Sequence, residues 1–403
     1  MTEAYDRTTY GMANPFARLA KRRTHLDSGN LLRSLTEVIN KVDNGINLGQ
    51  GVCDLDSPTT LQDGAVDCIR GITDRQTYTF YSGVPELRVA IANKLTDFNG
   101  IPTTMDQVGV TAGSSGAFFA SAMTLLEAGD EVILFEPFYS YHHTSLQLLG
   151  VVPVCVPLGP DNFDFDPERL RAALTDKTRA VVLNTPANPS GKMFSATDLA
   201  AVAEILASTD ILVFTDEVYE FMCFDGRKHI SPATVPGLED RCLTIGGFSK
   251  TYSITGWRVG YVAGPSDVID KIGRVFDQTD ICAARPMQRG VQRALEELPP
   301  SFYVELQADY QRKRDQFCSA LQTGGWRVSV PQGAYYVMAD YQDVLGNVEP
   351  HEAVLKMIEE KAVNGVPGNI FYANPENVRS VRFHFAVPDA VLDDACERLS
   401  STS

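Results

Sequence analysis

The chain has 403 residues, 44% of them hydrophobic, enough to bury a large core and to build two or three domains. Its 35 lysines and arginines against 51 aspartates and glutamates leave a formal charge of -16, which repels nucleic acid and anionic membranes and points to small molecules as partners. The eight cysteines (Cys53, Cys68, Cys155, Cys223, Cys242, Cys282, Cys318, Cys396) are never closer than 15 positions, which excludes a C-x-x-C zinc half-site or redox centre and suits reduced thiols in a cytoplasmic protein.

The N-terminus, "MTEAYDRTTYGMANPF", lacks a basic start followed by an apolar core, and no stretch approaches roughly 18 uninterrupted apolar residues, so neither signal peptide nor membrane span is expected. Seven short apolar or β-branched runs predict strands near 107–112, 131–135, 151–156, 180–184, 211–215, 242–246 and 259–263. Helical periodicity fills several gaps: 116–128, 140–149 and 195–207, where Ser195 followed by Asp198 resembles a capping box. This alternation predicts an α/β fold, with a mainly parallel seven-stranded sheet covered by helices on both faces. After about residue 300 the texture changes: a long helical pattern at 301–323 leads into "WRVSVPQGAYYVMADY", and a last helix starts at Asp389, which together predict a second, smaller α/β domain. No linker, internal repeat or low-complexity tract is evident.

In open parallel sheets the ligand sits outside the carboxyl ends of the strands, so the polar residues that follow each run are the informative ones. The first run is followed by "AGSSGAFF", where small residues open a helix; this suits a phosphate on the amides of Gly113, Ser114 and Ser115, or simply a tight strand-to-helix turn. Later runs are followed by "EPFYSYHH", by "NTPANPSG", by "TDEVYE" with Asp216 and Tyr219, and by Ser249 and Lys250. A P-loop fails, because Thr244 and Ser249 stand where its glycines are needed before Lys250; "GSSG" is one residue short of a nucleophile elbow. The histidines include no H-E-x-x-H, and neighbours His142 and His143 point to different helix faces, so no metal site is expected. What remains is a lysine, an aspartate, tyrosines, a phosphate cradle and two late arginines on one sheet edge. Each alone is commonly structural: Asp216 could be a cap and Arg258 a surface cation. Together they suit pyridoxal phosphate, which needs an amine for a Schiff base, an anion for its ring nitrogen and a phosphate site.

The segments "INLGQG" (46–51), "NTPANPSG", "TDEVYE", "FSKTYSITGWRVGY" (248–261) and "VRFHFA" (381–386) resemble the class I/II aminotransferases, fold-type I pyridoxal phosphate enzymes, over nearly the full chain. The motifs are most similar to the kynurenine, glutamine and methionine aminotransferase branch. The resemblance implies residues 1–47 as an N-terminal arm and part of the small domain, 48–300 as the large cofactor-binding domain and 301–403 as the small C-terminal domain. It makes Lys250 the Schiff-base residue and proton carrier, a double task that lysine suits because burial near cations lowers its pKa. Asp216 would pair with the ring nitrogen, Asn188 and Tyr219 with the 3′ oxygen, and Tyr139 would stack on the ring. Gly113, Ser114, Ser115, Ser249 and Arg258 would hold the phosphate, with Tyr78 from "TYTFYSGVPELR" reaching the neighbouring subunit's site in a homodimer. Arg382 would clamp the substrate α-carboxylate, helped by Asn188 and the backbone at Gly51.

Two departures from the family pattern stand out. Its Pro-Asp-Phe after "GQG" reads Cys53-Asp54-Leu55 here, and "DICAARPMQ" (280–288) occupies a region where relatives usually carry a hydroxyl residue and proline, with Arg285 as either a salt-bridge partner or a substrate-facing cation. The phosphate turn lacks the lysine that aspartate-type relatives use for a second carboxylate. The expected activity is transfer of an amino group from an L-amino acid to a 2-oxo acid, 2-oxoglutarate by resemblance, in two half-reactions. The alternative on the same scaffold is a lyase or cyclising synthase that expels a β- or γ-substituent. A regulatory protein retaining such a domain would need a DNA-binding module, and only 45 residues precede "INLGQG".

Overall fold

The computed structural model describes residues 30–160 and 162–401. Most of the N-terminal arm expected from the sequence, residues 1–29, therefore lies outside the described residues. In chain order the elements are α1 (Asn30–Ile39), β1 (Ile46–Asn47), α2 (Thr59–Ile69), α3 (Pro85–Asp97), β2 (Val108–Thr111), α4 (Gly113–Leu125), β3 (Glu131–Glu136), α5 (Ser140–Leu148), β4 (Val152–Pro157), α6 (Pro167–Ala173), β5 (Thr178–Asn184), α7 (Ala196–Leu206), β6 (Leu212–Asp216), β7 (Cys242–Gly247), β8 (Gly260–Ala263), α8 (Ser266–Asp280) and α9 (Arg285–Glu297). The remainder is α10 (Pro300–Thr323), β9 (Arg327–Ser329), β10 (Tyr336–Asp340), α11 (Gln342–Leu345), α12 (Pro350–Lys361), β11 (Val363–Asn364), β12 (Val366–Pro367), β13 (Ser380–His384) and α13 (Asp389–Ser400).

All seven predicted runs become strands of one sheet, in the order β2-β8-β7-β6-β5-β3-β4. Alternate side chains serve opposite faces: Ala180, Val182 and Phe214 pack with α4 and α8, whereas Val181, Leu183 and Val213 pack with α6 and α7. Burial on both faces is why these strands read as continuous apolar runs. The capping box at α7 is present, with the Asp198 amide donating to Ser195 Oγ at 3.1 Å and the Ser195 amide to Asp198 Oδ2 at 3.0 Å.

Strand β8 runs antiparallel to both of its neighbours. It therefore begins at the end of the sheet where β7 stops, and the whole connection 248–259, carrying Ser249, Lys250 and Arg258, stays at that edge. Thr111, the last residue of β2, pairs with Gly260 at the same place.

A second, antiparallel sheet in the order β12-β13-β10-β9 shares a core with α10, α12 and α13. Leu35, Ile39 and Leu48 from the chain's beginning pack into that core, and β1 pairs with β11. Arg382 on β13 faces the large sheet from this layer. Among the described residues no helix is long and apolar enough to cross a membrane.

Candidate functional site

A cavity of about 830 Å³ opens at the carboxyl edge of the large sheet, between it and the antiparallel layer. The lysine leaving β7 points into it: Lys250 Nζ donates to the Gly51 carbonyl at 2.9 Å and lies 5.5 Å from the Tyr335 ring centroid. Gly51 has no room for a side chain, because a Cβ there would run into the Tyr336 hydroxyl.

One strand over, β6 ends at buried Asp216, whose Oδ2 meets His142 Nε2 at 3.0 Å and whose Oδ1 accepts from the Val218 amide at 3.4 Å. His142 sits one turn into α5, and Tyr139 caps that helix with its ring edge-on to the imidazole, 5.1 Å between centroids. Tyr219 packs between Tyr335 and Tyr336 and donates to the Tyr336 hydroxyl at 3.4 Å. Burial, with Tyr336 beside it, pushes the Tyr219 phenol well above its usual range, so the group stays protonated and able to donate. Burial does the same to Tyr139.

The turn between β2 and α4 lies on the far side of Lys250. Gly113 has φ 77°, which favours glycine, and a Cβ there would strike the Arg258 guanidinium. Ser114, Ser115, Ser249 and exposed Arg258 line the same wall. Arg258 donates to the carbonyls of Thr255 at 3.2 Å and Ala112 at 3.4 Å. Gly260 lets β8 pass directly beneath this turn, since a Cβ there would come within 2.5 Å of Gly113 C and Ser114 N. Both are backbone atoms that cannot swing away, so Gly260→Ala should displace the turn. We expect a loss of roughly 1–3 kcal/mol in stability and weaker phosphate binding, read by thermal unfolding and by titration with pyridoxal phosphate; an unchanged affinity would remove the turn from the site.

Opposite, Asn188 is held by its amide donating to Asn184 Oδ1 at 2.8 Å, and its Oδ1 accepts from Arg382 Nη1 at 2.9 Å. Buried Arg382 also donates from Nη2 to the Gly49 carbonyl at 2.7 Å and lies against the rings of Tyr336 (4.4 Å) and Phe371 (5.0 Å). Its Nε is buried without a partner. Among the described residues no carboxylate pairs with Lys250, Arg258 or Arg382. Three cations without anions, facing a carboxylate fixed by an imidazole, fit a ligand with a phosphate at one end, a carboxylate at the other and a protonated ring nitrogen between; the residues present therefore fit pyridoxal phosphate with an amino acid.

The cavity thus gathers Gly51, Ser114, Ser115, Tyr139, Asn188, Asp216, Tyr219, Ser249, Lys250, Arg258 and Arg382, with Gly113 just beneath its wall. Tyr78 does not join them; it is 75% exposed, away from its own chain's cavity. Arg285 resolves as a salt-bridge partner, with Nη1 2.8 Å from Asp74 Oδ2. Cys53 is buried beside Lys250 and Tyr310, and burial raises its thiol pKa, leaving it a neutral packing group. Sequence reasoning missed His142 as the partner of Asp216, although it follows Tyr139 by three residues on one helix. It also missed Tyr335 and Tyr336, and His384, two residues beyond Arg382 on the same strand face. Burial, with Arg382 and Lys250 nearby, lowers His384 to about 3, so it stays neutral beside Arg382.

Comparison with known proteins gives a consistent picture. The family model described as aminotransferase class I and II matches residues 43–399. The human protein named kynurenine–oxoglutarate transaminase 1 is 33% identical over 385 residues, covering 88% of this chain and 91% of its own length. Aspartate aminotransferase of Rhizobium meliloti (strain 1021) is 34% identical over 367 residues, covering 88% of each. The solved structure of N-succinyldiaminopimelate aminotransferase from Mycobacterium tuberculosis superposes with a TM-score of 0.90 at 32% identity, covering 96% of this chain and 100% of that one.

Proposed function

The chain belongs to the class I and II aminotransferases and is a pyridoxal phosphate-dependent enzyme of fold type I that transfers amino groups; from that premise we propose how its own residues divide the work. Lys250 is the covalent anchor of the cofactor, and its Nζ is the base that moves the proton from substrate Cα. When bound, the cofactor supplies an electron sink for the negative charge that develops at Cα. Asp216, fixed by His142, holds the ring nitrogen protonated, and preorganised charge of this kind is where most of the rate enhancement arises. Tyr219 and Asn188 offer neutral donors to the 3′ oxygen, and Tyr139 covers a ring face. The β2–α4 turn, Ser249 and Arg258 grip the phosphate, and Arg382 turns its fork to the substrate α-carboxylate.

The acceptor in this reading is 2-oxoglutarate, supported by the relative named as an oxoglutarate transaminase, and the two half-reactions alternate in one site. The reading divides the chain into residues 48–300 around the large sheet and 301–403 around the antiparallel sheet, with part of the segment before residue 48 joined to the latter; the core that Leu35, Ile39 and Ile46 share with the C-terminal helices supports it. It takes the widely spaced cysteines to suit the cytoplasm and makes the enzyme a homodimer with shared sites, a reading that Ile72, Tyr78 and Phe80, exposed on one loop at 67%, 75% and 64%, support.

The observation that carries the assignment of roles is the convergence on one cavity of three cations without a carboxylate partner among the described residues, Lys250, Arg258 and Arg382, with Asp216, held by His142. Incubating the enzyme with a panel of amino acids and 2-oxoglutarate, while following glutamate, pyruvate and ammonia together, tests it. Glutamate without ammonia is the expected result; keto acid and ammonia formed without any acceptor would identify elimination chemistry instead.

A further inference from the structure

We propose that Arg285 is a positioning residue that prebuilds the hook carrying Tyr78, so that the tyrosine arrives ordered at the phosphate end of the neighbouring subunit's site; this rests on the reading of Tyr78 as a contributor in trans. Residues 71–80 form neither helix nor strand, so no ladder of backbone bonds fixes them. Arg285 supplies the missing order. As the first residue of α9 it commits all three guanidinium nitrogens to this one segment: Nε donates to the Thr77 carbonyl at 2.9 Å, Nη2 to the Tyr78 carbonyl at 2.8 Å, and Nη1 pairs with Asp74 at 2.8 Å. Asp74 is itself locked by Arg289, whose Nε and Nη2 donate to it at 3.0 and 2.8 Å. One residue beyond Tyr78, buried Thr79 receives the Gln288 amide at 3.4 Å, again from α9.

The hook is thus bolted to a helix from below while Tyr78 itself stands 75% exposed. An exposed tyrosine on a loose loop loses backbone and side-chain freedom when it binds; holding its backbone beforehand removes most of that loss from the binding step. The guanidinium meets two carbonyls and a carboxylate from three separate nitrogens of one rigid fork, a spread of donors that the single nitrogen of lysine does not reproduce. Each of the three nitrogens of Arg285 is thus tied to the hook.

The test uses holoenzyme and its cofactor-free form with Tyr78→Phe, Arg285→Lys, Arg285→Thr and the double variant Arg285→Lys/Tyr78→Phe. Read-outs are the pyridoxal phosphate dissociation constant, the melting temperature, and amide hydrogen exchange of residues 76–80 in cofactor-free protein. Tyr78→Phe should weaken cofactor binding roughly ten-fold, the scale of one hydrogen bond to a charged group. Arg285→Lys keeps the ion pair with Asp74, so it should melt near the native temperature yet exchange faster at 76–80 and bind cofactor several-fold more weakly. The double variant should be no weaker than Tyr78→Phe alone. If Arg285→Lys and Arg285→Thr bind cofactor as tightly as the native protein while Tyr78→Phe does not, or if the two losses simply add, Arg285 does not act through Tyr78 and the proposal is overturned while the trans reading stands. If Tyr78→Phe itself binds normally, the trans reading is wrong and the proposal goes with it.

Discussion

Replacing Lys250 by alanine is expected to lower amino transfer by several orders of magnitude while the protein still folds and still binds pyridoxal phosphate. The side chain contributes little to the packed core, since Nζ makes one hydrogen bond, to the Gly51 carbonyl, and the phosphate and ring contacts come from other residues. What disappears is a base held at the reacting carbon, and proton transfer by a positioned group is worth roughly 10²–10⁴-fold by itself, before loss of the covalent anchor is added. Other sheltered lysines are already committed: Lys94 to Glu220, Lys192 to Asp198 at 3.3 Å, and Lys313 to Asp389. Borohydride treatment of the native holoenzyme followed by peptide mapping should therefore place the reduced adduct on Lys250. Finding it on another lysine, or retaining native turnover in Lys250→Ala, would end the assignment.

The second large effect separates two arginines that look alike in sequence. Arg382→Ala removes the fork proposed to hold the α-carboxylate, and because charge-assisted bonds are worth roughly 1.5–3 kcal/mol each, KM for both amino acid and oxo acid should rise by about two orders of magnitude or more. The same change leaves Asn188 Oδ1 and the Gly49 carbonyl without their donor, so some stability is lost as well. Arg382→Lys keeps a positive charge but not the fork, and should recover stability better than substrate affinity. Arg258→Ala should behave differently. Its side chain is exposed and, among the described residues, bonds to the Thr255 carbonyl of its own loop and the Ala112 carbonyl before α4, so folding is spared, cofactor binds more weakly, and excess cofactor restores much of the activity. Separate titrations of cofactor and substrate into both variants decide the matter: an Arg382→Ala enzyme that loses cofactor but binds substrate normally would reverse the proposed orientation of the site.

Much of this site was legible because a parallel sheet writes its chemistry at predictable places. Strands buried on both faces, such as β5 and β6, show up as unbroken apolar runs, and Asp216 and Lys250 stand within a few residues of where such runs stop. His142 was not legible. Its meeting with Asp216 depends on α5 lying across the end of β6, and no period in the sequence encodes that crossing. The pairing of α2 with α9 was hidden for a different reason: Gly64 and Gly290 lower helix propensity yet are needed for contact, since a Cβ at Gly290 would lie 2.6 Å from the Leu61 carbonyl oxygen and one at Gly64 would lie 3.0 Å from that of Arg289. Rules of local propensity penalise these positions, whereas the approach of the two helices demands them. Arg285 was ambiguous because the same cation suits a salt bridge or a ligand, and only the positions of Asp74, Thr77 and Tyr78 choose between them.

The charge on the cavity wall opposes the charge on the whole molecule. Arg33, Lys250, Arg258 and Arg382 line it against Glu37 and Asp216, within a chain of net charge -16. A dianion approaching from solution meets an unfavourable far field, damped over a Debye length of about 8 Å at physiological salt, and then a local potential of the opposite sign focused by the low-dielectric walls of the cleft. The net negative charge thus acts as a long-range filter against phosphorylated and carboxylated metabolites, and the cations of the cleft locally reverse its sign where such a ligand is to be held.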